Sequence, residues 1–149
     1  MAVIDDIDRE IAGLLAEDAR RSLTEVAGQV GLSTSAVNER VRRLVAQGVI
    51  RRFTLDLAPE ALGLPVLALI WADVPHAREE AFRAFATSHP GITECHHVTG
   101  AWSYLIHLRA ANLDGVEAFL GQMKGDGLIA RSETMLALST LRTAPLVPR

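Results

Sequence analysis

Ile4, Ile7, Ile11, Leu14 and Leu15 recur at the spacing of one helix face, so the chain is predicted to open with an amphipathic helix. Asp5, Asp6 and Asp8 fall in its first turn, where the helix dipole favours negative charge. A second helix begins at Ser22-Leu23-Thr24-Glu25, a capping box in which Ser22 and Glu25 satisfy free amide donors reciprocally. It turns Val26, Ala27 and Val30 inward and stops at Gly31, a residue suited to a left-handed cap. Ser33 then caps a third helix. A small residue at Ala27 lets two helices cross closely, Gly31 makes the tight turn, and Val37 locks the next helix. This is the logic of a helix-turn-helix.

The third helix divides into two faces. Val37, Val41, Leu44 and Val45 fall in one arc about 100° wide. Ser35, Asn38, Glu39, Arg42 and Arg43 occupy the other side, with Arg40 on the flank. Hydroxyl, amide and guanidinium groups on one face can hydrogen-bond base edges and phosphates in a major groove. Gly48 ends the helix, and Val49-Ile50-Arg51-Arg52-Phe53 reads as a short strand, the start of a wing. Glu39 either pairs with Arg43 at i+4 or accepts from a cytosine amino group.

After residue 53 the period changes. Residues 54–64, TLDLAPEALGL, contain Pro59 and Gly63 and read as a linker. Residues 64–74 form a strand apolar on both faces, with Val66, Ala68 and Ile70 on one and Leu67, Leu69 and Trp71 on the other. A helix over 77–88 buries Ala81, Phe82 and Phe85. Strands follow over 91–100 and 102–109, and Asn112 caps a helix carrying Val116, Phe119, Leu120 and Met123. A last strand is predicted over about 128–141. The order is βαββαβ, the ferredoxin-like arrangement. The fold class is therefore α+β, with a winged helix-turn-helix domain over 1–53, a linker over 54–64, and a ferredoxin-like domain over 65–149. The doubly apolar first strand leaves one sheet face in need of cover, which a second copy packed sheet to sheet would supply. Such a two-fold dimer presents two recognition helices to two half-sites.

Charge sharpens this picture. The chain carries 18 Asp+Glu against 15 Lys+Arg, a net charge of −3, yet five arginines sit in RVRRLVAQGVIRR, residues 40–52. Neither half is basic, so a polyanion-binding surface must be a local patch. Arg51 and Arg52 form a second basic point for phosphate contact. The N-terminus lacks the basic and apolar regions of a secretory signal, and no apolar run is long enough for a membrane span. The lone Cys95 fits a reducing cytosol and reads as a small apolar strand residue.

Several stretches together resemble the Lrp/AsnC family of transcriptional regulators: IDDIDREIAGLLAEDAR (4–20), VGLSTSAVNERVRRLVAQGVI (30–50), ALG (61–63), ECHHVTGAWSYLIHL (94–108) and LRTAPLVP (141–148). The resemblance covers nearly the whole chain. It implies a DNA-binding domain joined to a ligand-sensing domain, dimers that assemble further, commonly to octamers, and an amino-acid effector or related small metabolite. Double-stranded promoter DNA is the implied partner, in the cytoplasm, with no cofactor. The resemblance makes Ser33 through Arg43 the recognition helix, so the candidate DNA-binding residues are Ser33, Thr34, Ser35, Asn38, Glu39, Arg40, Arg42 and Arg43, joined by the basic point Arg51 and Arg52. The implied effector residues are Gly100, Ala101, Trp102, Ser103, Tyr104 and Thr134. Relatives carry two acids in the Gly100 loop where this chain has Ala101 and Ser103, so Ser103 offers only a hydroxyl to a ligand ammonium. Trp102 either walls the pocket or packs at a subunit contact.

Competing chemistry is thin. His96 and His97 point to opposite strand faces, and His96 and His107 can meet across a hairpin, but no third metal ligand is evident, so no metal site is expected. There is no nucleophile–base pairing, phosphate-binding glycine loop or paired carboxylate set, and Glu79 and Glu80 fit a polar helix face, so no enzyme is expected. A winged helix that binds protein, and an architectural DNA-binding protein of the same fold that needs no ligand, are the other readings.

Overall fold

The computed structural model describes residues 4–143 and Leu146, so part of the 141–148 stretch lies outside the described residues. The chain divides into two compact units, the first ending its main run at Asp56 and the second spanning Leu57–Leu141.

The first unit is built from three helices, α1 (Asp6–Glu17), α2 (Leu23–Val30) and α3 (Thr34–Ala46). Ile11, Leu15, Val26, Ala27, Val37 and Leu44 form its core. The capping box of Ser22 and Glu25 is formed, with the Ser22 amide donating to Glu25 Oε2 at 2.8 Å. The Ser22 hydroxyl and amide hold the Glu25 carboxyl below the usual carboxylate range. Gly31 adopts φ 69°, which ends α2 and starts the tight turn into α3. Asp5 caps α1 in a second capping box with Asp8, where the sequence pattern offers only dipole-favoured acids.

The expected wing strand is absent. Residues 49–53 are not a strand, because the amides of Val49 and Ile50 both donate to the Leu44 carbonyl and are consumed in closing α3. A strand also needs a ladder partner, and the described part of this unit contains only helices. Val45 is also 46% exposed rather than in the core. The helix-turn-helix is thus present without a β-wing.

The second unit runs β1 (Val66–Asp73), α4 (Glu79–Ser88), β2 (Ile92–His97), β3 (Tyr104–Ala110), α5 (Leu113–Gly125) and β4 (Arg131–Leu136). The strands are antiparallel in the order β2-β3-β1-β4, which is the ferredoxin-like topology. Both helices cover one sheet face: Phe82, Val116, Phe119 and Met123 pack on Ala68, Ile70, Ile106 and Leu108. Ala81, expected inside, is exposed. Leu67, Leu69 and Trp71 of β1 and Leu105 of β3 lie on the opposite face, half-buried at its centre, with Met135 exposed beside them. That face is apolar and carries no helix.

Candidate functional site

The five arginines of residues 40–52 separate into two groups. Arg40 donates to Asp5 Oδ2 at 2.7 Å and to Asp8 Oδ1 at 2.8 Å. Arg43 donates through Nη2 to both Asp8 oxygens, at 2.9 and 2.8 Å. The Asp8 side chain is 2% exposed, so α1 presents a buried carboxylate to which α3 is tied by two guanidinium groups. Hydrogen bonding from Arg40 holds the Asp5 carboxyl below its usual range, and both carboxylates raise Arg40 further.

Both residues are thus engaged within the helical unit. The sequence pattern assigns Arg40 to phosphate and Arg43 to the groove-facing side, with Glu39 as its alternative partner. Instead both arginines turn toward α1, because 100° steps carry them away from the arc centred on Ser35 and Arg42. Among the described residues Arg42, Arg51 and Arg52 make no ion pair and are exposed, leaving their charge free for a polyanion. Ser35 and Glu39 are exposed on the same side of α3 as Arg42, and Asn38 is half-buried at its edge. Ser33 is committed to capping, accepting from the Ala36 amide at 3.2 Å. Thr34 is exposed in the first turn. The outward surface is therefore Thr34, Ser35, Asn38, Glu39 and Arg42, flanked by Arg51 and Arg52 in sequence.

The β2–β3 hairpin loop holds Gly100, Ala101, Trp102 and Ser103. Gly100 has φ 112°, a backbone conformation that a side chain would strain. Arg131, at the start of β4, pins the loop: it donates to the Ala101 carbonyl at 2.9 Å and to Asp73 Oδ2 at 3.1 Å. Its guanidinium lies 4.5 Å from the Trp102 ring centroid. The Ser103 hydroxyl accepts from the Val74 amide at 3.2 Å and donates to Asp73 at 3.4 Å. Asp73 and Arg131, paired across β1 and β4, are functional candidates that sequence reasoning misses. Their only signal there is opposite charge on two predicted strands.

Two expected effector residues stand apart from this loop. Tyr104 is buried on the helix-covered face, where its hydroxyl donates to Glu79 Oε1 at 2.9 Å. Burial and that carboxylate push the phenol up, while Arg83 and then Tyr104 hold Glu79 down. Thr134 pairs with Ile70, whose side chain is in the core, so it faces away from the side shared by Asp73 and Arg131. Side-chain alternation separates residues 131 and 134.

The open face holds one arrangement that the sequence does not reveal. Glu94, His96 and His107 bring ligand-type atoms within 4.8 Å of one another. Glu94 is the third partner that strand spacing alone leaves out.

The two units match known families. An AsnC-type helix-turn-helix domain corresponds to residues 4–45, and the Lrp/AsnC ligand binding domain to residues 67–147. The chain belongs to the Lrp/AsnC family. Members of the Lrp/AsnC family are DNA-binding transcriptional regulators, not enzymes. LrpC, an HTH-type transcriptional regulator of Bacillus subtilis (strain 168), is 35% identical over 119 residues, which cover 80% of this chain and 83% of LrpC. AldR of Mycobacterium tuberculosis is 32% identical over 147 residues, 96% of this chain and 82% of AldR. The solved structure of B. subtilis LrpC has a TM-score of 0.87 at 32% identity, covering 95% of this chain and 99% of that one. A Neisseria meningitidis regulator solved with L-Met shares the fold, with a TM-score of 0.89 at 22% identity over 95% of this chain and 94% of its own. No helix among the described residues is long and apolar enough to cross a membrane.

The clamp between α1 and α3 makes a stability prediction for this Lrp/AsnC protein. Asp8→Ala removes the hydrogen bonds to Arg43 and one of those to Arg40, together with half of the α1 capping box. Half-exposed Arg43 returns to water and Arg40 keeps Asp5, so the change should destabilise the helical unit by about 1–3 kcal/mol. Urea unfolding of the full chain, followed by helical circular dichroism, measures this. Asp6→Ala, whose exposed carboxylate reaches only Arg9 among the described residues, should leave the midpoint nearly unchanged.

Proposed function

We infer that the protein binds double-stranded promoter DNA as a two-fold dimer, inserting α3 of each copy into successive major grooves. Residues 1–53 act as the DNA-binding domain, 54–64 as the linker and 65–149 as the effector and assembly domain, in the cytoplasm. The observation that carries this reading is the division among the arginines. With Arg40 and Arg43 held by Asp5 and Asp8, Ser35, Asn38 and Arg42 form an outward face of donors and acceptors. Arg42 suits guanine O6 and N7, Asn38 suits adenine, and Arg51 and Arg52 suit phosphates. The dimer reading is supported by the uncovered apolar face of Leu67, Leu69, Trp71, Leu105 and Met135. Dimers of this kind assemble further into an octamer.

The same domain binds a small zwitterionic metabolite of the amino-acid class beside the Gly100 loop. The family's description of it as ligand-binding supports this, as does the chemistry around the loop. Exposed backbone next to Gly100 and the Asp73–Arg131 pair supply opposite charges for a carboxylate and an ammonium. Asp73 thereby stands in for the acids that the loop itself lacks.

Selection of bound sequences from a random double-stranded DNA pool tests the DNA reading. A consensus with dyad symmetry is expected, and Arg42→Ala should lose selectivity at one position in each half-site, at a cost of about 1–3 kcal/mol for each base no longer read. Enrichment no greater than for non-specific binding would contradict it. For the effector, thermal unfolding with each of the twenty amino acids should show at least one stabilising by about 5–10 °C when present about 100-fold above its Kd. Arg131→Ala should remove that response, and a response that survives it would move the pocket elsewhere.

A further inference from the structure

We propose that Glu94, His96 and His107 form a binding site for a zinc-class divalent transition metal on the open face of the sheet, beside the apolar surface read above as the dimer contact. The three residues come from neighbouring strands. Glu94 and His96 lie two apart on β2, and His107 is the cross-strand partner of Glu94 on β3. An irregularity in β2 makes this possible. Ile92 pairs with Leu108 and faces the core, then the register shifts before Glu94 pairs with His107. Strict alternation would have kept Glu94 and His96 on the face of Ile92. The extra residue, Thr93, reverses the parity, and its hydroxyl donates to the His107 carbonyl at 3.3 Å. β-Bulges re-aim side chains in this way and recur beside functional sites.

The donor atoms already converge. Glu94 Oε2 lies 3.1 Å from His96 Nε2 and 3.6 Å from His107 Nδ1, so one carboxylate oxygen sits between both rings. The two imidazole centroids are 5.8 Å apart at 69°, edge to face. All three ligand atoms lie within 4.8 Å of one another. In a tetrahedral zinc site with ligands near 2.1 Å, donor atoms stand about 3.4 Å apart. Closing that gap needs only rotamer adjustment, since His96 and Glu94 are 54% and 58% exposed while His107, at 27%, is the fixed member. The exposed hydrogen bond between Glu94 and His96 that the metal displaces is individually weak.

The donor set selects the metal class. Two imidazole nitrogens and one carboxylate suit zinc and its first-row neighbours, whereas calcium and magnesium prefer oxygen ligands. With three protein ligands, the fourth position is left to water. Glu94 and His96 lie on β2, an outer strand, while His107 on β3 pairs with Leu69, so the cluster borders the apolar face on its β2 side. Cys95 points to the opposite, core-facing side, where burial pushes its thiol up, and it takes no part.

The test is a zinc titration of the untagged, metal-stripped full chain in competition with a chromophoric chelator. One zinc per chain at micromolar or tighter affinity is expected. His96→Gln and His107→Ala should each weaken binding by at least about tenfold, the scale on which even outer-shell changes act at metal sites. His97→Ala and Cys95→Ser should bind as the parent chain does. His96→Gln, at an exposed edge position, keeps the test informative if His107→Ala fails to fold. No uptake at micromolar zinc, or uptake unchanged in His96→Gln, would overturn the assignment.

Discussion

The buried carboxylate of Asp8 organises the DNA-binding half of the protein. A carboxylate removed from water must be paired and hydrogen-bonded, or it costs several kcal/mol. Here it accepts from Arg40 and Arg43 and, through the capping box, from the Asp5 amide. One side chain therefore completes the α1 capping box and ties α1 to α3, whose rotation is fixed jointly by these ion pairs and the buried Val37 and Leu44. That rotation decides which residues face outward. Two of the five clustered arginines are committed to the fold so that Arg42 can be presented with Ser35 and Asn38.

In the second unit the governing constraint is the two-residue period of the strands. It puts Ala68, Ile70 and Ala72 under the helices and sends Leu67, Leu69 and Trp71 to the uncovered face. It also brings Asp73 and Arg131 together at one end of the sheet, where their ion pair and the Trp102 contact hold the hairpin loop. Where the period is broken, at Thr93, the face changes hands and three metal-ligating groups meet. Regular and irregular positions of one sheet thus generate an uncovered apolar face, a loop anchor and a cluster of ligand-type side chains.

Much of this is legible in the sequence, and the parts that are not share a cause. The helix-turn-helix is readable because its signals are local: the Ser22–Glu25 box, Gly31 and the inward positions Ala27 and Val37. The βαββαβ order is readable from the change of period and the Pro and Gly punctuation. The outcome for Arg43 is not, because its position on α3 lies between the outward arc and the α1 side, and its partner Asp8 is 35 residues away. Asp8 itself looks like one of several dipole-favoured acids. The run Val49–Phe53 has strand composition but no ladder partner, and the Leu44 carbonyl claims its first two amides. Glu94 is invisible as a ligand because a bulge is set by pairing, not by composition. Arg131, likewise, matters through Asp73, which lies 58 residues earlier.

The division of labour among the arginines is most directly tested by the salt dependence of binding to a selected DNA site. The slope of log affinity against log salt falls by about 0.9 for every phosphate that the protein no longer neutralises. Alanine at Arg51 or Arg52 should lower the slope by about that amount per phosphate it had paired with. Alanine at Arg43, in protein verified to remain folded, should leave it unchanged because that charge is already neutralised by Asp8. An equal fall in slope at Arg43 and Arg52 would show that Arg43 leaves its carboxylate for DNA, and the structural division would fall.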